Sequence, residues 1–317
     1  VFKNALVFRL ATGWEIGADV VEDHLQRVRF VPCAGSEEFA IGWVEPRGIA
    51  HGPLLESISG QWVLKVVMER RSVPASVLQR KLMEQVSAIE ASTGRRPGKR
   101  ELRGLKDDLR MQLLPMAFPK QTAVWVWIDR EKGLLVLDTS SQARADEVLT
   151  LLLRTLPDVT LSNLETRIAP ARAMADWLLA QEAPSGFMID RECELRATDE
   201  SAAVVRYTRH EVDTDEVRQH VQSGKTPTRL ALTWNGRVSF VLTQEGSLRK
   251  IEFLEGVFDQ ADGDDRFDTD VVLSTSELRV LIPDLIEALG SLASAIDPTT
   301  VPSPLPVVGA TESTMRR

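Results

Sequence analysis

Apolar residues recur along this chain with two different spacings, and the switches between them outline its elements. Phe2–Leu10 alternates as a strand does, whereas Val20, Val21, Leu25 and Val28, within Asp19–Val28, fall near helical spacing. Gln61–Val67 reads as a second strand. Pro74 then stands where a helix can open, and Leu78, Leu82, Val86 and Ile89 form one apolar stripe that Gly94 can stop. A further stripe follows at Leu102, Leu105, Leu109 and Leu113. The spacing therefore predicts two amphipathic helices joined by a short turn, Arg95-Arg96-Pro97-Gly98-Lys99-Arg100, with four cations in six residues.

Thr122–Ile128 and Leu134–Asp138 read as strands around a turn at Asp129–Gly133, and Ser140 or Ser141 can cap the helix carrying Val148, Leu149, Leu152 and Leu153. Pro170 opens a helix to Gln181, as proline in a first turn allows. Short strands are expected at Cys193–Ala197 and Val204–Thr208, and a helix at 213–222. Arg229–Trp234 and Arg237–Leu242 flank Asn235-Gly236, the strongest short hairpin signal. Ser247–Phe253 is a last strand. An acidic loop precedes a helix through Leu278, Leu281, Leu285, Ile286 and Leu289, and a disordered tail is expected beyond Asp297. Hairpins with intervening helices predict an α+β fold with antiparallel sheets, packed helices and a protruding helical hairpin, not a doubly wound parallel sheet. The expected divisions are an N-terminal α+β region (1–73), the basic hairpin (74–116), a β-hairpin plus helix (117–165), a C-terminal α+β region (166–290) and the tail (291–317).

At 317 residues and 43% hydrophobic, the chain can bury a full core. It has no apolar run of about 18 residues, so a membrane span is not expected. Val1-Phe2-Lys3-Asn4 carries no apolar signal core. Cys33 and Cys193 stand far apart without a CxxC pair, so a cytoplasmic protein with ordinary thiols is expected. The net charge of −8 argues against a polyanion partner until its distribution is read. Residues 65–125 hold thirteen Lys and Arg against six Asp and Glu, while residues 255–290 hold two against ten. Such polarity lets one face be basic in an acidic protein.

Catalytic motifs are not found. Ser223-Gly224-Lys225-Thr226 ends like a phosphate loop, but Gln219 stands where that loop needs glycine, and a helix precedes it instead of a strand. His24, His51, His210 and His220 lack metal-ligand spacing, and no GxSxG occurs. Asp262, Asp264, Asp265, Asp268 and Asp270 raise the alternative of a metal-dependent nuclease. A solvated acidic loop explains them better, since two-metal sites draw carboxylates from separate rigid elements. No catalytic residue, metal or cofactor is therefore expected.

The cations fit binding. Arg70, Arg71, Arg80 and Lys81 surround the start of the first long helix, and Lys225 and Arg229 flank the approach to the Asn-Gly hairpin, with Arg206 and Arg209 upstream. Such groups neutralise phosphates with little regard to sequence. No base-reading module is recognisable, and a single Tyr gives weak support for a stacking platform.

Several segments in fixed order resemble the RdgC family along nearly the whole chain. They include Phe30-Val31-Pro32-Cys33, Gly42-Trp43-Val44, Pro74-Ala75-Ser76-Val77, Leu113-Leu114-Pro115 with Ala117-Phe118, and Trp127-Ile128-Asp129. Cys193-Glu194-Leu195-Arg196, Gly224-Lys225, Arg229-Leu230-Ala231-Leu232-Thr233-Trp234, Arg266-Phe267-Asp268 and Ile286-Glu287-Ala288-Leu289-Gly290 continue the series. The resemblance implies a homodimer closed into a ring around duplex DNA, nucleoid-associated, which restrains RecA-driven recombination. It implies ring-closing positions at Phe118 and His210, and a Gly-Lys DNA contact at Lys225. Met116 stands where the family often has Arg, with Lys120 nearby. The expected DNA-binding set is Arg70, Arg71, Arg209, Lys225 and Arg229 on one basic track, with Arg95, Arg96, Lys99 and Arg100 on a basic arm.

Overall fold

A computed structural model describes residues 2–212, 214–254 and 266–293. Asp262, Asp264, Asp265 and the tail expected beyond Asp297 lie outside these residues.

The N-terminal half is built from β1 (Asn4–Leu10), α1 (Ala18–Gln26), β2 (Phe39–Val44), β3 (Leu55–Ile58) and β4 (Gln61–Arg70). After the helical hairpin α2 (Ala75–Thr93) and α3 (Lys99–Leu113) come β5 (Lys120–Asp129), β6 (Leu134–Leu137), α4 (Gln142–Thr155) and β7 (Leu161–Asn163). The C-terminal half holds α5 (Pro170–Ala180), β8 (Phe187–Ala197), β9 (Val204–Thr208), α6 (Asp215–Gln222), β10 (Lys225–Trp234), β11 (Val238–Thr243), β12 (Leu248–Phe253) and α7 (Arg266–Ala288). The fold is α+β, and its paired strands are antiparallel.

The strands form one path, β2-β4-β5-β6-β1-β12-β11-β10-β8-β9, with β3 on β4 and β7 on β1. β1 joins the halves. Its Leu6–Arg9 stretch pairs with β6, and Asn4 and Ala5 pair with β12. The N-terminal core packs Trp43, Trp62, Leu64, Val126 and Leu135 beneath Val21 and Leu25 of α1 and Val148 and Leu152 of α4. The C-terminal core sets Leu195, Tyr207, Leu230, Leu232 and Phe240 against Met174 and Leu178 of α5, Val217 of α6, and Leu278 and Leu281 of α7. β1, β5 and β6 are apolar on both faces, with Phe8, Val126 and Leu135 in one core and Val7, Trp127 and Val136 in the other, whereas β8 and β9 keep one polar face, as an antiparallel sheet allows. The α2–α3 hairpin closes a small core of its own from Leu78, Leu82, Val86 and Leu109.

Local chemistry sets the turns. Asn235 (φ 47°) and Gly236 (φ 64°) both take the left-handed conformation that a two-residue hairpin needs. Ser141 caps α4 by accepting the Arg144 N–H, and Thr214 caps α6 by accepting that of Val217.

The structure departs from the spacing in several places. β8 begins at Phe187, not Cys193, because Asp190-Arg191-Glu192 interrupts the apolar alternation in mid-strand. β2 and β3 were not expected. Asp268 and Asp270 do not sit in a loop; they occupy the first turns of α7, where Asp268 pairs with Arg47 and Phe267 stacks near Trp125. Ser291 and Ala293, assigned to the tail, still exchange backbone hydrogen bonds with Arg167 and Glu165.

Gly42 shows how tightly β2 is held. A Cβ there would lie 2.4 Å from the Cα of Phe30, whose N–H donates to the Trp43 carbonyl. Gly42→Ala is expected to cost about 1–3 kcal/mol of stability by overpacking. Gly104→Ala, inside α3 with nothing within 4 Å, is expected to add about 0.5–1 kcal/mol instead. Urea midpoints of the two variants moving in opposite directions at unchanged slope would bear this out.

Candidate nucleic-acid interface

The expected cations fall into three groups. The first lies where β4 ends. Arg70 is opposite Phe39 on one side and Lys120 on the other, stacks over the Phe39 ring at 4.3 Å, and pairs with Glu147. Arg71 donates its backbone N–H to Glu38, while its buried Nε has no hydrogen-bond partner. Beside them Glu69 accepts from the Gln121 amide at 2.7 Å and the Cys33 N–H at 2.9 Å, with the Gln121 bond foremost in holding its carboxyl below the ordinary range.

The second group is the turn of the helical hairpin. Glu101 receives a fork from Arg95 at 2.8 and 2.9 Å and the Gly98 N–H at 2.8 Å, and these bonds, Arg95 first, bring its carboxyl down to about 2. The turn is thereby braced by one carboxylate. Arg96, Lys99 and Arg100 are exposed and make no ion pair among the described residues. At the other end of α3, Phe118 is 94% exposed, with exposed Met116 and Met111 near it in sequence.

The third group gathers around β8, β9 and β10. Glu194 is opposite both Arg206 and Arg229, so the three side chains share the wet face of the sheet. Arg206 and Arg229 pair with Glu194, and Thr228 donates to it at 2.9 Å. Burial pushes the Glu194 carboxyl up, but Arg206, Thr228 and Arg229 outweigh it and leave the group below its ordinary range. Lys250, which spacing did not single out, pairs with Glu192 on the same face at 2.7 Å.

Lys225 was expected on the same track as Arg229, and the register separates them. Lys225 is opposite Ala197 and Pro227 opposite Leu195, but Arg229 is opposite Glu194 after a register shift. That extra residue turns Lys225 toward the helix-covered side and Arg229 to the wet side. Lys225 instead meets α6, with its Nζ 3.1 Å from Nδ1 of His220. Arg209 (φ 56°) and His210 end the neighbouring strand. The Tyr207 ring lies 5.8 Å from His210 and 6.4 Å from His220, while its hydroxyl donates to Glu216. Burial first, then Glu216, pushes that phenol up to about 12. His210 and Lys225 thus come to the Tyr207 side, whereas Arg209 lines a hollow on the wet face with Glu192, Thr208 and Lys250. Arg70 and Arg71 belong to the other half, with seven strands between β4 and β9 along the sheet path.

These groups are donors and cations. Cys33 and Cys193 are buried thiols, and burial raises Cys193 to about 12. Among the described residues, no set of three His, Cys, Asp or Glu could hold a metal, and no helix is long and apolar enough to cross a membrane.

A family model described as "Putative exonuclease, RdgC" matches residues 1–292. The chain is 39% identical over 297 residues to the recombination-associated protein RdgC of Dechloromonas aromatica, covering 91% of this chain and 97% of that one. It is 38% identical over 294 residues to the protein of that name from Herminiimonas arsenicoxydans, covering 91% and 97%. The figure for Cupriavidus pinatubonensis is 40% over 294 residues, covering 91% and 98%.

Glu194 offers a direct check of this geometry. A depressed folded-state value contributes stability above the unfolded value, and that contribution is lost as pH falls through the folded one. Glu194→Gln is expected to cost about 1–2 kcal/mol at neutral pH, the Arg partners being partly exposed. In urea titrations its deficit should close as pH falls through and below about 4. A deficit independent of pH would mean that the carboxylate is not ion-paired in solution.

Proposed function

The chain belongs to the RdgC family of recombination-associated proteins, and from that premise we propose that it binds double-stranded DNA without sequence preference. In this reading it acts as a symmetric homodimer closed into a ring, associates with the nucleoid, and restrains RecA-driven recombination by occupying DNA. The observation that carries the reading is the braced hairpin turn, which holds Arg96, Lys99 and Arg100 in solvent with no carboxylate partner among the described residues. Half-buried Lys225 supplies a second cation beside Tyr207, and exposed Arg209 supplies one on the wet face near Lys250. Such groups displace counterions from phosphate whatever the base sequence, so a net charge of −8 is no obstacle if only the surface facing DNA is basic. The exposed Phe118 supports a subunit contact beside the hairpin, and His210 would assist closure from the Tyr207 site.

The matching family's description supplies a second reading, an exonuclease. Asp268 and Asp270, its nearest described candidates, are paired with Arg47 and Arg266.

Fluorescence anisotropy on a labelled linear duplex, with and without Mg²⁺, separates the two. Retention is expected without loss of label, and it should fall steeply with salt. Lys225→Ala should weaken all sequences alike and lower the log–log salt slope by about 1 per lost phosphate contact. An altered base preference at unchanged slope would sink the assignment of Lys225, and Mg²⁺-dependent shortening of the duplex would favour the exonuclease.

Phe118→Asp tests the ring. Sedimentation velocity should show a weakened dimer or a more open, slower one at unchanged thermal stability. Wild-type sedimentation would remove Phe118 from the interface.

A further inference from the structure

The hydrogen bond between Lys225 and His220 contains an arrangement that a surface ammonium does not need. Lys225 is an obligate donor, so at 3.1 Å the Nδ1 of His220 must be the acceptor, with the ring proton on Nε2. The two groups come from different elements. His220 lies in the last turn of α6, and Lys225 opens β10 after the Ser223-Gly224 turn, in which the Ser223 hydroxyl donates to the His220 carbonyl and Gly224 (φ 92°) reverses the chain. The turn thus holds the imidazole against the ammonium.

We infer that His220 is a second phosphate-contacting residue of the Lys225 site, recruited by a proton. This rests on the duplex-binding reading above and deepens it. While His220 is neutral, its Nδ1 ties up one donor of Lys225. Once Nδ1 is protonated, both partners are donors and the bond between them is lost. A single anion able to accept from both then becomes the natural bridge, and a phosphate oxygen has that chemistry. A proton taken up there adds a second cation beside the Lys225 ammonium.

The charged and titratable surroundings suit this. From β9 comes Tyr207, whose phenol is pushed up to about 12 and stays neutral. His210 lies across the same ring, while Arg209 turns to the opposite face of the sheet. On α6, Glu216 is one turn before His220 and is occupied by the Tyr207 hydroxyl. In the turn between β8 and β9, Asp199 is held below its ordinary range chiefly by the Ser201 hydroxyl and in smaller part by the Lys225 charge. Toward α5, Arg218 bonds the Leu179 carbonyl and Gln181 from the side of α6 opposite His220. Two carboxylates near two fixed cations leave the added proton as the charge that tips the site toward an anion.

The experiment follows duplex affinity of the full chain by anisotropy from about pH 8 to about pH 6 at constant ionic strength. Affinity is expected to rise as pH falls, by up to about tenfold per pH unit for each proton taken up. H220Q keeps an acceptor for Lys225 but cannot take the proton, and its profile should be flat. H210Q should keep the wild-type slope, and K225A should bind more weakly yet still respond to pH. Calorimetry of the wild-type protein in two buffers of different ionisation enthalpy should show proton uptake on binding, a measurement that no folding defect of a variant can disturb. A wild-type slope surviving in H220Q, or binding without proton uptake, overturns the inference and leaves duplex binding standing. No retention at any pH overturns both.

Discussion

Strand β1 is hydrogen-bonded along both edges, and the continuity of the sheet depends on it. Leu6–Arg9 hold β6, Phe8–Leu10 hold β7, and Asn4 and Ala5 hold β12, so seven residues tie the two halves together. The start of the strand is pinned by Asp138, which accepts the backbone N–H of Lys3 and of Asn4 and the Asn4 side-chain amide. Burial raises the Asp138 carboxyl despite these bonds, as desolvation of a charge requires. The junction is also where the cores meet: Phe2, Ala5 and Val7 pack with Trp127 and Val136 in the C-terminal core, while Phe8 and Leu10 belong to the N-terminal one. The spacing between the Arg70 group and the Tyr207 group is therefore set by pairing through β1.

Much of this was legible in the chain. The heptad-like stripe through Leu78, Leu82 and Val86 and the Asn235-Gly236 turn express their geometry locally, and the structure has both. β2 was hidden because Gly42 interrupts its apolar run, and glycine is required there by the Cα of Phe30, which is distant in space until the chain has folded. The start of β8 was hidden because Asp190-Arg191-Glu192 occupy a stretch where the register with β10 slips. α7 was read too short for a similar reason. Asp268 looks solvated in sequence, yet Arg47 accompanies it and Phe267, Val271 and Val272 pack on Ile58, Val63 and Trp125. In each case the deciding partner lies elsewhere in the chain.

The candidate site was legible as residue types and not as an arrangement. Period-two counting puts Lys225 and Arg229 on one face, and the register shift after Pro227 reverses that. The same shift gives Lys225 to α6 and leaves Arg229 to Glu194. His220 carried no signal, since a histidine at the end of an amphipathic helix has no motif. The resemblance to a family supplied the DNA and the dimer, which no spacing in this chain expresses.

Pairing with carboxylates does not remove an arginine from such a surface. Arg206 spends its Nε and one Nη on a single oxygen of Glu194, and the planar guanidinium keeps further donors directed outward at a fixed angle. Arg95 instead gives its two Nη groups to the two oxygens of Glu101, and that fork holds the turn that carries Arg96, Lys99 and Arg100. Burying Glu194 beneath two arginines therefore orients cations on a face that would otherwise present flexible ones, lowering the entropy that engaging any anion would cost. The carboxylates counted in the net charge of −8 are in these places part of what shapes the cationic surface. Their number is no measure of how the protein would meet a polyanion, because salt screens each exposed charge over about 8–10 Å.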